Sequence, residues 1–345
     1  MNAALPLITP GQRVAVAVGS RKLASLVDIV RATVEALRAR GAQVFIVPAM
    51  GSHGGATQEG QQRVLERYGI TEAQVGAPID PSLETLSLGR TESGFSVPFA
   101  RSVLAADALL LINRVKPHTS FRAPIESGLV KMLVIGLGKH AGATEIHAQG
   151  YTTFAQTLPE AFELICKHVP VLGGLATVEN STHAVGLLEF VPTDAILERE
   201  PTLLDHARSL MPRIPFARLD VLIVDQVGKD LSGTGMDPNV TGRPTAAQLS
   251  RDQGPQRLVA LRLTNETEGN ANGVGAADIV THRLAERVDW TKTWTNNITS
   301  TELAGGRLPI VMATDRDAIA LALHSCTGVG PEGVRLARIS STMDT

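Results

Sequence analysis

Cysteine is scarce. Only Cys166 and Cys326 occur among 345 residues, which excludes a disulfide framework and fits no Cys-based metal spacing. Aromatic residues make up 3%, with two tryptophans, too few for a stacking platform that would hold nucleic-acid bases. No stretch approaches the roughly 18 consecutive apolar residues of a membrane span. The opening MNAALPLITPGQR has no basic segment followed by an apolar one, so no secretory signal is expected and the reducing cytoplasm is the default. Lys and Arg number 32 against 34 Asp and Glu, a net charge of -2. That balance carries no electrostatic footprint for nucleic acid or an anionic membrane.

What remains is an ordinary globular composition, 43% hydrophobic and 19% charged, in a chain long enough for two domains. RVAVAV from Arg13 reads as a strand and SLVDIVRATVEALRARG as an amphipathic helix closed by Gly41. QVFIVPAMG is the next strand, TQEGQQRVLERYG the next helix, and ADALLLINRV a buried strand. VKMLVIGLG reads as a further apolar, strand-like core element, and FAQTLPEAFELICKHV as an amphipathic helix followed by the apolar PVLGGLATVEN. SLMPRIPF, with two prolines, interrupts this alternation. A second series begins after it: strands in LDVLIVDQVG, RLVALRLTN and LPIVMATD, and helices in GAADIVTHRLAERV and DRDAIALALH. Alternation of this kind predicts two α/β domains with mainly parallel sheets. The expected boundaries are 1–205 and 216–335 joined by a linker at 206–215, with the active site in an interdomain cleft.

In open α/β sheets ligands gather beyond the carboxyl ends of strands. Four such places carry distinctive polar clusters, GSRK, GSHGGAT, RVKPHT and DQVGK, and supply Arg21, His53, His118 and Lys229. GSHGGAT is either a glycine-rich turn before a helix or a loop whose backbone approaches a ligand, with His53 its one titrating side chain. Pro117 stiffens the chain before His118, either a bystander or a second base; two bases can flank one substrate carbon from opposite sides. Lys131 sits in an apolar run, either snorkelling to water or desolvated into a nucleophile able to hold a cofactor. His147 lies on a polar helix, a surface residue or a neutral imidazole donor for nickel, zinc or copper. Gln226 and Lys229 close a strand, and Arg21 with Lys229 can neutralise a carboxylate. IGLGKHAG has neither the G-x-G-x-x-G nor the P-loop spacing. GTGMDPNVTGRP, from Gly233 to Pro244, is expected to form a mobile loop. Trp290 and Trp294 serve core packing or wall an apolar pocket.

Taken in order, Arg21, the Gly-x-His loop at His53, Pro117-His118, Ser127-Gly128 with Lys131, then His147, then Gln226 with Lys229, resemble the nickel-pincer lactate racemase family across most of the chain. The resemblance implies an isomerase, a 2-hydroxyacid racemase or epimerase working by hydride transfer. It implies a nickel pyridinium-3,5-dithiocarboxylic acid mononucleotide tethered at Lys131, with His147 as nickel ligand. His53 and His118 become the acid/base pair, and Arg21, Gln226 and Lys229 the substrate-binding groups. The implied partners are a small 2-hydroxy acid and the proteins that synthesise the cofactor. Family members commonly carry an acidic residue where Val18 stands, and here Phe121 to Glu126 lengthen the stretch between His118 and Lys131. These departures extend the expected substrates from lactate to larger or more polar acids, sugar acids among them. Two other readings stay open on the residues: a nicotinamide-dependent hydroxyacid dehydrogenase, and a non-catalytic carboxylate-binding protein on the same fold.

Overall fold

The computed structural model describes residues 8–19, 23–216, 218–250 and 254–344. They divide into two compact units: residues up to 117 together with 122–210, and 118–121 together with 211 onward. The helix Ile196–Leu210 runs through the first half of the segment expected to be a linker.

The first unit is built on a five-stranded sheet. Its strands are β1 (Arg13–Val18), β2 (Gln43–Pro48), β5 (Ala108–Arg114), β6 (Val171–Glu179) and β7 (Val185–Pro192), in the order β2-β1-β5-β6-β7. All neighbours are parallel except β6 and β7. β3 (Thr85–Arg90) and β4 (Ser96–Ala100) form a separate antiparallel ribbon. The central strands read as continuous apolar runs because both faces are covered: Val14 to Val18 are 0% exposed. Helix Leu26–Arg38 buries Ile29, Val30, Val34 and Leu37 on one stripe, as its periodicity predicts. The chain passes from β1 outward to β2, then returns to β5 on the other side of β1. The strand order thus reverses at the carboxyl ends of β1 and β5, the usual ligand position in such sheets.

The second unit repeats the principle. Its strands β8 (Val221–Val227), β9 (Arg257–Leu263), β10 (Ile279–Thr281), β11 (Ile310–Met312) and β12 (Leu336–Ile339) are ordered β11-β10-β9-β8-β12, and all are parallel. The strand order reverses between β8 and β12.

Two elements differ from the sequence expectation. VKMLVIGLG is helical: Leu129–Lys131 forms one turn that widens into π-helical Met132–Gly136. Leu129, Val130 and Met132 through Gly136 are all buried, so the segment has no polar face to reveal a helical period. GAADIVTHRLAERV begins as the strand β10 and becomes helical only at His282–Ala285, because three consecutive apolar or β-branched residues suit a buried strand.

Candidate functional site

The candidate site in the first unit is assembled from loops fastened to one another. Val18 and Ile112 are register partners in β1 and β5, so Gly19 and Asn113 leave their strands side by side. A Cβ at Gly19 would stand 2.9 Å from Asn113 Oδ1, so glycine permits this approach. Asn113 donates from Nδ2 to the carbonyl of Gly128, 2.6 Å away, just before the helix that carries Lys131. Beside it, the Lys116 N–H donates to the Ser127 carbonyl at 2.9 Å. The turn bearing Lys131 is thus pinned to the end of β5.

His53 sits in the loop after β2. Its N–H donates to the Met50 carbonyl at 3.1 Å, and the Gly51 N–H reaches the Gly136 carbonyl at 3.1 Å, tying this loop to the end of the π-helical segment. Buried Gln61 donates from Nε2 to the carbonyls of Gly51 at 2.9 Å and His53 at 3.4 Å. Thr57 caps the next helix through Gly60 N–H, a contact worth about 1 kcal/mol. The imidazole of His53 is half-buried.

His147 lies near the end of helix Lys139–Ala148. Its Nδ1 bonds the Ala143 carbonyl. A carbonyl only accepts, so Nδ1 carries the proton and Nε2 holds the lone pair. Tyr151 and Phe154 pack against the ring with centroids 5.6 Å away. Burial lowers its pKa to about 4, the Ala143 contact opposes that shift, and the Lys131 ammonium adds to it. Lys131, half-buried, is therefore within electrostatic reach of the imidazole. Among the described residues no group of three or more His, Cys, Asp or Glu side chains could hold a metal ion. The His147 imidazole could give one ligand to a metal, and the Lys131 amine could anchor an organic group.

The second unit carries His118, Gln226 and Lys229. His118 Nδ1 accepts the Ser120 N–H at 3.0 Å, so in the neutral ring the proton resides on Nε2, the opposite tautomer to His147. Phe121 stacks at 4.5 Å. Asn239 Nδ2 donates to the His118 carbonyl at 3.4 Å, and Gln248 Nε2 to that of Ser120. Gln248 lies four residues past, and Asn239 within, the stretch Gly233–Pro244, expected to be a mobile loop. It is packed down instead, with a capped turn at Pro238–Thr241 and buried Met236 and Val240. Gln226 is exposed near the end of β8, and its N–H donates to the Ser340 carbonyl at 2.8 Å. The Lys229 N–H donates to Thr267 Oγ1 at 3.0 Å, and its ammonium bonds Asn296 Oδ1, which also accepts from Asn270 Nδ2 at 3.2 Å. Trp290 and Trp294 pair at 5.4 Å, and Trp294 is 52% exposed, so it is not a core residue. Arg21 lies outside the described residues.

Three residues that sequence reasoning passed over shape the first unit's site. Asn113 ends an apolar strand and looks there like any strand terminus. Lys139, 1% exposed, donates to the Pro48 carbonyl at 2.7 Å, and its backbone is left-handed at φ 55. Burial lowers its pKa to about 8, against the pull of Asp80. Its signal was a lysine directly after Gly-Leu-Gly in an apolar run. Glu200 is 1% exposed and accepts the N–H groups of Leu129 and Val130. Within LEREP nothing marked it apart from its neighbours.

The comparisons with known proteins agree with this architecture. Residues 19–188 match a family model described as Domain of unknown function (DUF362). None of the curated proteins matches the chain. Among solved structures, the chain is similar to the lactate racemase apoprotein from Thermoanaerobacterium thermosaccharolyticum, with a TM-score of 0.61 at 12% identity over 98% of this chain and 87% of that one. It is also similar to a protein from Thermotoga maritima, with a TM-score of 0.59 at 13% identity, covering 97% and 93%. The class is thereby defined as a mixed α/β protein with two mainly parallel sheets. Its fold is lactate racemase-like. Among the described residues no helix is long and apolar enough to cross a membrane.

Proposed function

We propose that the chain is a racemase or epimerase that inverts the hydroxyl-bearing carbon of a 2-hydroxy acid, with a nickel-pincer nucleotide held at Lys131 and His147. The observation that carries this reading is the pairing of Lys131 with a neutral His147 whose Nε2 lone pair is left available by the Nδ1 bond to Ala143. When bound, that group supplies an electron-poor ring able to accept and return hydride, which avoids forming a carbanion at a weakly acidic C–H.

This chain's own residues supply the rest. Lys131 provides the attachment point and His147 one imidazole donor. His118 is held with its proton on Nε2, which suits it to donate to the substrate oxygen. His53 is assigned the complementary task of removing a hydroxyl proton. Each acid/base group contributes about 10²–10⁴-fold in rate. Arg21, Gln226 and Lys229 serve the carboxylate and hydroxyl, Arg21 by a bidentate contact and Lys229 as a point charge.

The protein is to be co-produced with cofactor-synthesis proteins and its intact mass measured. An adduct that maps to Lys131 and disappears in Lys131→Ala is expected. A panel of 2-hydroxy acids, sugar acids included, then tests for loss of optical activity, with deuterium at the reacting carbon retained. No adduct and no racemisation under those conditions overturns the reading, and carboxylate binding without turnover points to a non-catalytic protein on this fold.

A further inference from the structure

We propose that Glu200 is a positioning residue for Lys131: its carboxylate grips the first turn of the helix that carries the lysine and so sets the direction of the amine. The inference rests on the reading of Lys131 as the attachment point.

Glu200 enters from helix Ile196–Leu210, about seventy positions along the chain, and is 1% exposed. One oxygen, Oε2, accepts the N–H of Leu129 at 2.7 Å and of Val130 at 3.0 Å. These are the first two amides after Gly128, groups a helix cannot satisfy from within, at the end where negative charge is favoured. Lys131 is the next residue. The contact dictates its neighbour as well. A Cβ at position 128 would stand 2.3 Å from Glu200 Oε1 and 2.4 Å from its Cδ, so only glycine leaves room for the carboxylate. Asn113 holds the Gly128 carbonyl, so the turn is fixed through its first two amides and the carbonyl that precedes them.

The second oxygen argues that the carboxylate is more than filler. Glu200 Oε1 is buried and has no hydrogen-bond partner among the described residues. A buried carboxylate oxygen with no donor is costly, and a leucine of similar volume would avoid that cost. What leucine cannot do is accept two amides in a defined direction. The clamp acts through Lys131 and does not itself touch a ligand.

The full-length protein, without cofactor, tests this. Amine acylation at Lys131 is tracked by peptide mass mapping, with exposed Lys167 and Lys292 as internal references. Amide exchange at Leu129 and Val130 is measured in parallel. Glu200→Leu should change the Lys131 rate about fivefold or more against the references and speed exchange of the two amides. Glu200→Gln keeps an oxygen that can accept both N–H groups, and should stay within about twofold of the parent. Gly128→Ala, which pushes the carboxylate away from the other side, should reproduce the leucine result, and decides the matter if Glu200→Leu does not fold. An unchanged Lys131 rate in folded Glu200→Leu or Gly128→Ala overturns the proposal, as does an equal effect of Gln and Leu. None of these readouts needs the cofactor, so a missing adduct at Lys131 would count against the proposed function while leaving the clamp result standing.

Discussion

The Lys131 ammonium opposes protonation of His147, adding to the effect of burial on that imidazole. With Nδ1 committed to the Ala143 carbonyl, the ring stays neutral above about pH 4 and presents Nε2 as a donor. His118 is arranged the other way, accepting at Nδ1. Nitrogen NMR of the ring atoms at neutral pH should therefore find opposite tautomers in the two residues. In Lys131→Met the His147 titration should move upward from about 4 while remaining below 6.5, because burial, the larger cause, is untouched. Identical tautomers in the two rings would contradict the hydrogen-bond assignments.

Two buried groups should tilt the pH dependence of stability in opposite senses. The folded pKa of His147 is about 4 against an ordinary 6.5. The unfolded chain thus binds more protons across that window, and stability falls as pH drops from 6.5 towards 4. Burial raises Glu200 to about 7 from 4.5, against the two amides that lower it. There the folded chain holds the extra proton, and stability falls as pH rises from 4.5 to 7. Denaturant titrations from pH 4 to 7 should show a shallow slope for the parent protein. Glu200→Gln should leave stability rising with pH, and His147→Gln should leave it falling.

Removal of either proposed acid/base side chain should leave a folded protein. Both His53 and His118 sit in loops whose geometry is set by backbone contacts to Gln61, Asn239 and Gln248. Under the proposed function, His53→Ala and His118→Ala of protein co-produced with the cofactor-synthesis proteins should each lower kcat by about 10²–10⁴-fold. Circular dichroism and thermal melting should stay close to the parent. Turnover unaffected by both substitutions would remove them from the chemistry.

The His53 loop should be intolerant of side chains at its glycines. Gly54 has φ 67, and a Cβ there would lie 2.5 Å from the carbonyl carbon of Gly60. A left-handed residue alone costs about 1–2 kcal/mol, and the clash with backbone adds to it. Gly54→Ala should destabilise the protein by more than about 2 kcal/mol in urea unfolding. Gly55→Ala, at the same φ of 67 but with open space around it, should cost only the backbone term.

The strands of both sheets were legible because a buried parallel strand is a short unbroken apolar run, as in Val14–Val18 and Val221–Val224. The same property hid the helix at Leu129–Gly136, where burial on every side erases the period that distinguishes helix from strand. The strand-end positions of the candidate residues were legible: His53 comes after β2, His118 after β5 and Lys229 after β8. Glu200 and Asn113 act by bonding backbone atoms far away in the chain, at Leu129 and at Gly128. No local pattern encodes such a pairing. The placement of 118–121 with the second unit was likewise invisible, since its contacts there, such as those from Asn239 and Gln248, come from more than a hundred positions away.

The wide turns at Met132–Gly136 make the sixteen-position interval from Lys131 to His147 a matter of angular phase. One residue removed from that stretch would let it wind as an ordinary α-helix, with better backbone geometry, yet swing Lys131 by about 100° relative to the helix that bears His147. A shortened chain of this kind would gain regularity and point Lys131 elsewhere.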